Sequence, residues 1–95
     1  MKEVYIKIKG RVQGIGFRWF AVHEAKRIGG ISGWVRNEAD GSVEILMRGE
    51  EEKIEEMLIS CHKGPALSRV DSVDFIVGRR SCFLPPIEDG VFKRA

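Results

Sequence analysis

This sequence is short of the residues that build metal centres and covalent catalysts. It has two cysteines and two histidines in 95 residues. Cys61 and Cys82 stand far apart and in no metal-ligand spacing, so they read as buried or free thiols in a reducing compartment. His23 and His62 each fall in a helical stretch beside charged neighbours, the setting of a surface or capping histidine rather than a general base. No aspartate pair, histidine pair or cysteine cluster has the spacing of a metal site. Charge of one sign is lacking as well. The net charge of +2 gives a weak pull on anionic ligands and does not point to nucleic acid. There is no apolar signal region after Met1-Lys2-Glu3 and no run near about 18 apolar residues. The expectation is therefore a cytoplasmic chain with no membrane partner. No internal repeat or low-complexity segment stands out.

What is present suits one small globular domain over residues 1–95. Hydrophobic residues make up 43% and charged residues 32%. A chain of this size buries roughly 60–70% of its unfolded surface, enough for a core without staples. Only the tail departs in character: residues 78–95 carry Arg79-Arg80, Pro85-Pro86 and Asp89-Gly90.

Val4, Ile6 and Ile8 alternate with Tyr5, Lys7 and Lys9, the period of a half-buried strand. From Phe17 to Ile28, the residues Phe17, Phe20, Ala21, Ala25 and Ile28 share a helical face that Glu24 interrupts. Gly29-Gly30 stops that helix. A second strand follows over Ile31–Arg36, then a turn with the hairpin dipeptide Asp40-Gly41, then a third strand marked by Val43, Ile45 and Met47. Glu50, Glu51 and Glu52 open a second helix, whose stripe is Ile54, Met57, Leu58 and Cys61, and Gly64-Pro65 ends it. Val73, Phe75 and Val77 mark a fourth strand, and a short final strand is expected around Val91–Lys93.

The order β-α-β-β-α-β predicts a ferredoxin-like α+β sandwich: an antiparallel sheet with both helices on one face. The other face would carry Tyr5, Lys7, Trp34, Arg36, Glu44, Leu46 and Arg48. That mixture predicts a solvated surface.

The chemistry concentrates in Gly10-Arg11-Val12-Gln13-Gly14-Ile15-Gly16-Phe17-Arg18. Glycines let the backbone turn tightly with its N–H groups inward. The helix that follows adds free N–H groups and a positive dipole end. Arg18 adds a planar cation suited to an oxyanion. The parts describe a pocket for a phosphate-like group. It is neither a Walker A loop nor a Gly-x-Gly-x-x-Gly turn, and it has no cysteine nucleophile. Without an evident general acid, nucleophile or metal, such a pocket still suits one phosphoryl transfer. A carboxylate leaving group departs without protonation, so water can attack phosphorus while amides and Arg18 hold the equatorial oxygens. A carboxamide is enough to align that water. Asn37, at the end of the second strand, is the candidate, although its position suits a plain turn residue at least as well. Trp19 and Phe20 are read either as bordering the pocket or as helix packing.

These residues resemble the acylphosphatase family. The Gly10–Arg18 stretch resembles the family's signature loop. Gly33-Trp34-Val35-Arg36-Asn37, followed by Asp40-Gly41-Ser42-Val43-Glu44 and Gly49, resembles its second signature, and Gly64-Pro65 with Val70 is similar to the segment after its second helix. The resemblance covers about residues 4–77. It implies hydrolysis of the carboxyl–phosphate bond of small acyl phosphates, with no metal, cofactor or covalent intermediate. It implies that Arg18 binds the phosphoryl group, that Asn37 orients the attacking water, and that amides from Gln13 through Gly14, Ile15 and Gly16 to Phe17 complete the cradle. A monomer is the expected state. The tail departs from the family pattern: Gly78–Asp89 is long, with Cys82, Phe83, Leu84 and Pro85-Pro86. Val91-Phe92-Lys93 is the candidate closing strand with Phe92 as its anchor, and Phe83 and Leu84 are expected to pack over an edge strand. Two alternatives are a non-catalytic anion-binding module and a carbamoyl-phosphate-processing domain of the kind fused to larger maturation enzymes. RNA binding would need the aromatic pattern of an RNA recognition motif on the middle strands, which is missing.

Overall fold

The computed structural model describes residues 1–78 and 84–95. Along the chain run β1 (Lys2–Arg11), α1 (Phe17–Ile28), β2 (Ser32–Asn37), β3 (Val43–Gly49), α2 (Glu51–Lys63), β4 (Arg69–Val77) and β5 (Phe92–Arg94). The strands form one sheet in the order β4-β1-β3-β2-β5. Both helices lie on one face, over a core that includes Ile6, Ile8, Val35, Ile45 and Met47 from the sheet, Phe17, Ala21 and Ala25 from α1, and Ile54, Met57 and Cys61 from α2. This is the ferredoxin-like α+β fold. Among the described residues no helix is long and apolar enough to cross a membrane.

Glu24, which breaks the apolar stripe of α1, is explained by its partners. Ser60 Oγ of α2 donates to its carboxylate at 2.9 Å, and Arg27 pairs with it at 3.0 Å. A charge at a helix–helix seam is tolerated when it is both paired and hydrogen-bonded.

Three expectations change. The sheet is mixed, not antiparallel: β1 pairs antiparallel with β3 and β4, and β2 with β3, but β5 runs parallel to β2. The cause is topological. β2 runs antiparallel to β4, so a chain that reverses after β4 and docks at the opposite edge lies parallel to β2, and on its way the segment 84–87 passes over the face away from the helices.

That passage overturns the second expectation. The open face is not solvated at its centre, where Trp34, Tyr5 and Leu46 are 1%, 5% and 0% exposed. Leu84 and Ile87 pack on them, and Trp34 Nε1 donates to the Pro85 carbonyl at 2.9 Å. Leu84 therefore covers inner strands rather than an edge. Cys82 and Phe83 lie outside the described residues.

Third, Gly10 and Arg11 belong to β1 rather than to the loop, because they pair with Val70 and Arg69 of β4 across a register shift between Lys9 and Gly10. Gly33 shows why β2 needs glycine. Its φ is +156°, and a Cβ there would collide with the backbone of Leu46 on β3.

Candidate active site

The loop proper is Val12–Gly16, between β1 and α1. Val12 is 1% exposed and pins its start to the core. Gly14 and Gly16 have φ of +75° and +83°, left-handed conformations that L side chains rarely adopt. Gly16 is the N-cap of α1 and offers no side-chain cap, and the first turn holds no acid. Among the described residues no side chain caps the N–H groups of that turn, which stand at the positive end of the helix.

The loop faces the end of β2. Arg18 and Asn37, both half-buried, line one cavity of about 100 Å³ together with Val12, Gly14, Gly16, Phe17, Trp19 and Arg94. None of these is an acid, a histidine or a cysteine. Trp19 stands at its mouth, 64% exposed, and stacks on His23 with the ring centroids 4.9 Å apart and the planes 8° from parallel. Phe20 is half-buried and meets Phe17 edge-on at 5.8 Å.

Of the residues expected at the site, Gly14, Gly16, Phe17, Arg18 and Asn37 converge on the cavity, whereas Gln13 and Ile15 are not in its lining. Ile15 packs against the core. The Gln13 side chain turns to the β2–β3 connection, where its Nε2 donates to the carbonyls of Glu38 at 2.7 Å and Ser42 at 2.9 Å. It ties the glycine loop to the turn immediately after Asn37. That turn is itself closed by Glu38 N–H to the Ser42 carbonyl at 2.8 Å and by Ser42 N–H to Asp40 Oδ1 at 3.0 Å.

The open face braces β2 from below. Arg36 lies 4.9 Å over the Trp34 ring and pairs with Glu44 at 2.6 Å and Glu38 at 3.0 Å, and Tyr5 Oη donates to Glu44. Sharing a hydrogen bond with Glu44 holds the Glu38 carboxyl above its ordinary value. Burial opposes the Glu44 charge, yet hydrogen bonds from Glu38, Tyr5 and Arg36 outweigh it and keep Glu44 below the ordinary value. Asp40 is held well below the usual carboxylate range by hydrogen bonds from Ser42 and Lys7.

Arg94 is the cavity residue that sequence reasoning missed. Its signal was the period of the closing strand: Phe92 is buried, and Arg94 lies two residues on, on the same face.

A glycine loop leading into a helix N-terminus without a side-chain cap, an arginine and a facing carboxamide define a ferredoxin-like sandwich with an oxyanion pocket. Comparison with known proteins sharpens that class. A family model described as Acylphosphatase matches residues 4–81. Curated relatives named acylphosphatase include those of Koribacter versatilis, 51% identical over 70% of this chain and 60% of that protein, and Acidiphilium cryptum, 41% identical over 96% of this chain and 93% of that protein. The match to the former thus takes in less than two thirds of that relative's length. Among solved structures, the acylphosphatase of Bacillus subtilis superposes with a TM-score of 0.85 at 32% identity, covering 100% of this chain and 99% of that one. Full-length HypF, solved in a phosphate- and nucleotide-bound form, superposes at 0.79 and 28% identity, with this chain covering 12% of it. The chain belongs to the acylphosphatase family.

Proposed function

We propose that this chain hydrolyses the carboxyl–phosphate bond of small acyl phosphates to a carboxylate and inorganic phosphate, acting as a monomer in the cytoplasm. The carrying observation is that Arg18, Asn37, Gly14 and Gly16 line one cavity. The loop amides and Arg18 hold the equatorial phosphoryl oxygens, and the charge that builds there in the transition state meets donors already in place. The Asn37 carboxamide orients a water for in-line attack on phosphorus. The new P–O bond forms as the bond to the acyl oxygen breaks. The carboxylate leaves with the bonding electron pair, and the water's proton passes to the phosphate product or to solvent. A carboxylate needs no proton to leave, which suits a cavity lined by no acid, histidine or cysteine.

The test is phosphate release from acetyl phosphate in the presence of EDTA, set against an ordinary phosphomonoester. Arg18→Ala and Asn37→Ala should each lower kcat/KM by at least about 10²-fold, the scale for one preorganised electrostatic group. The rate should stay flat across neutral pH. Full activity in either variant removes that residue from the mechanism, and a sharp bell near neutrality would reveal an acid–base pair at work. A second reading, a phosphate-binding module without turnover, draws on the likeness to a small part of HypF. Phosphate binding with no release from any acyl phosphate would select it.

A further inference from the structure

We propose that Arg94 is a second oxyanion-binding residue of this cavity, sharing the charge of the phosphoryl group with Arg18. The inference rests on the reading of the cavity as a phosphoryl site and adds a residue from the far end of the chain.

Its placement follows from the register of β5. In the parallel pairing with β2, Phe92 stands opposite Gly33 and Arg94 opposite Val35. Residues two apart on a strand share a face, so Phe92 and Arg94 both project toward the helices. Phe92 is 7% exposed in the core. Arg94 comes one pleat later, past the edge of the core, in the cavity that Phe17, Arg18 and Trp19 of α1 also line. Hydrogen bonds on either side fix this register: Gly33 N–H to the Val91 carbonyl at 2.8 Å and Ala95 N–H to the Val35 carbonyl at 2.9 Å.

Its chemistry follows from its partners. Arg27, Arg36, Arg48 and Arg69 each pair with a carboxylate, and Arg11, which has no such pair among the described residues, lies outside the cavity. Lys93, the neighbour of Arg94, pairs with Glu88 at 2.8 Å. Among the described residues neither Arg18 nor Arg94 has a carboxylate partner, and the cavity they share has none in its lining. Two guanidinium groups around one small cavity repel each other until an anion joins them. The phosphoryl group of an acyl phosphate carries two negative charges when fully ionised, and two guanidiniums match that charge. Each also offers N–H donors in a planar fork suited to oxyanions.

The experiment is calorimetric titration with inorganic phosphate, alongside acetyl phosphate kinetics, for the wild type, Arg94→Gln, Arg94→Lys and Lys93→Gln. Arg94→Gln should weaken phosphate binding and raise KM by about 10–100-fold, the scale of a charge-assisted hydrogen bond. Its kcat should fall less than that of Arg18→Ala. Arg94→Lys should recover part of the affinity, and phosphate binding in Arg94→Gln should depend less on ionic strength. Lys93→Gln, which removes a charge from the same strand outside the cavity, should bind phosphate as the wild type does. Phosphate affinity within twofold of wild type in Arg94→Gln overturns the inference, whatever happens to its melting temperature. So does an equal loss in Lys93→Gln, which would make the effect one of overall charge. If Arg94→Gln does not fold, Arg94→Ala decides: a folded alanine variant with unchanged affinity and unchanged salt dependence overturns it. A wild type that binds phosphate but does not turn over acetyl phosphate would sink the proposed function while leaving the role of Arg94 to be read from binding.

Discussion

Replacing Trp34 by alanine should cost this protein about 4–5 kcal/mol of folding stability. Trp34 is 1% exposed, although it lies on the sheet face away from the helices. A buried tryptophan removes roughly 150–250 Å² from water. Truncation of a core tryptophan to alanine costs about 3–5 kcal/mol, transfer and cavity together. The indole N–H bond to the Pro85 carbonyl contributes about 1 kcal/mol. The Arg36 guanidinium 4.9 Å over the ring contributes about 0.5–1 kcal/mol. Half-buried Leu84 and Ile87 form the lid, and its partial collapse into the vacated space offsets part of the sum. For a domain of this size each 1 kcal/mol moves Tm by about 4–8 °C, so a fall of roughly 16–40 °C is expected. Urea denaturation followed by far-UV circular dichroism reads the loss directly. Trp34→Phe, which keeps a ring but loses the N–H donor, should lose about 1–2 kcal/mol. Trp34→Ala combined with Leu84→Ala should lose less than the sum of the single losses, because the side chains touch. A cost below about 1 kcal/mol for Trp34→Ala would refute the reasoning and return the face to solvent.

Gln13→Ala removes both bonds between the glycine loop and the β2–β3 turn. It should lower stability by about 1–2 kcal/mol and kcat/KM by about tenfold; unchanged kinetics would show that loop and turn hold their places independently. Glu24, Asp40 and Glu44 carry carboxyl groups held below their ordinary values, by hydrogen bonds from Arg27, from Ser42 and Lys7, and, against burial, from Glu38, Tyr5 and Arg36. The stability they contribute is complete above the ordinary carboxylate values and drains away as pH falls through the lowered ones, from about pH 4.5 downward. Asp40→Asn should make that acid decline shallower in a pH series of urea unfolding curves, and an unaltered slope would exclude Asp40 from it. Burial pushes the Cys61 thiol up to about 12. Cys61 should therefore resist a thiol reagent at neutral pH until the protein unfolds, and labelling at a rate independent of unfolding would contradict its burial.

Much of this was legible in the sequence because local rules carry it. The stripe from Phe17 to Ile28 matches α1 residue for residue, since Gly16 and Gly29 punctuate it at both ends. The strands β1 to β3 follow the period-two alternation of their sequence, whereas of the β4 stripe Val73, Phe75 and Val77 only Val73 packs on the core, and Phe75 and Val77 are 54% and 61% exposed. The chemistry of the glycine loop is written in consecutive residues. What stayed hidden was long-range. Tyr5, Trp34 and Leu46 sit among charged neighbours, and that pattern cannot announce a cover supplied by Leu84 and Ile87 from far along the chain. The direction of β5 depends on which edge of the sheet the chain reaches, which no local signal encodes. Arg94 was lost because the expected closing strand, Val91–Lys93, stopped one residue short of it, whereas β5 runs Phe92–Arg94. The Gln13 side chain, for which the sequence offered no role beside its backbone amide, answers to carbonyls 25 and 29 positions away.

The parallel docking of β5 has a consequence for how the molecule fails. Without those three residues, β2 would present a row of unpaired backbone groups at the rim of the sheet. Such a rim is a template for pairing with a neighbouring molecule. So short a strand holds on with few bonds and belongs to the least stable tier of the native structure. The same three residues end on Arg94, which lines the cavity. An anion held there would pull β5 against β2 and seal the rim. Occupancy of the cavity and resistance to aggregation would then rise together, and added phosphate would protect the protein in storage as well as inhibit it.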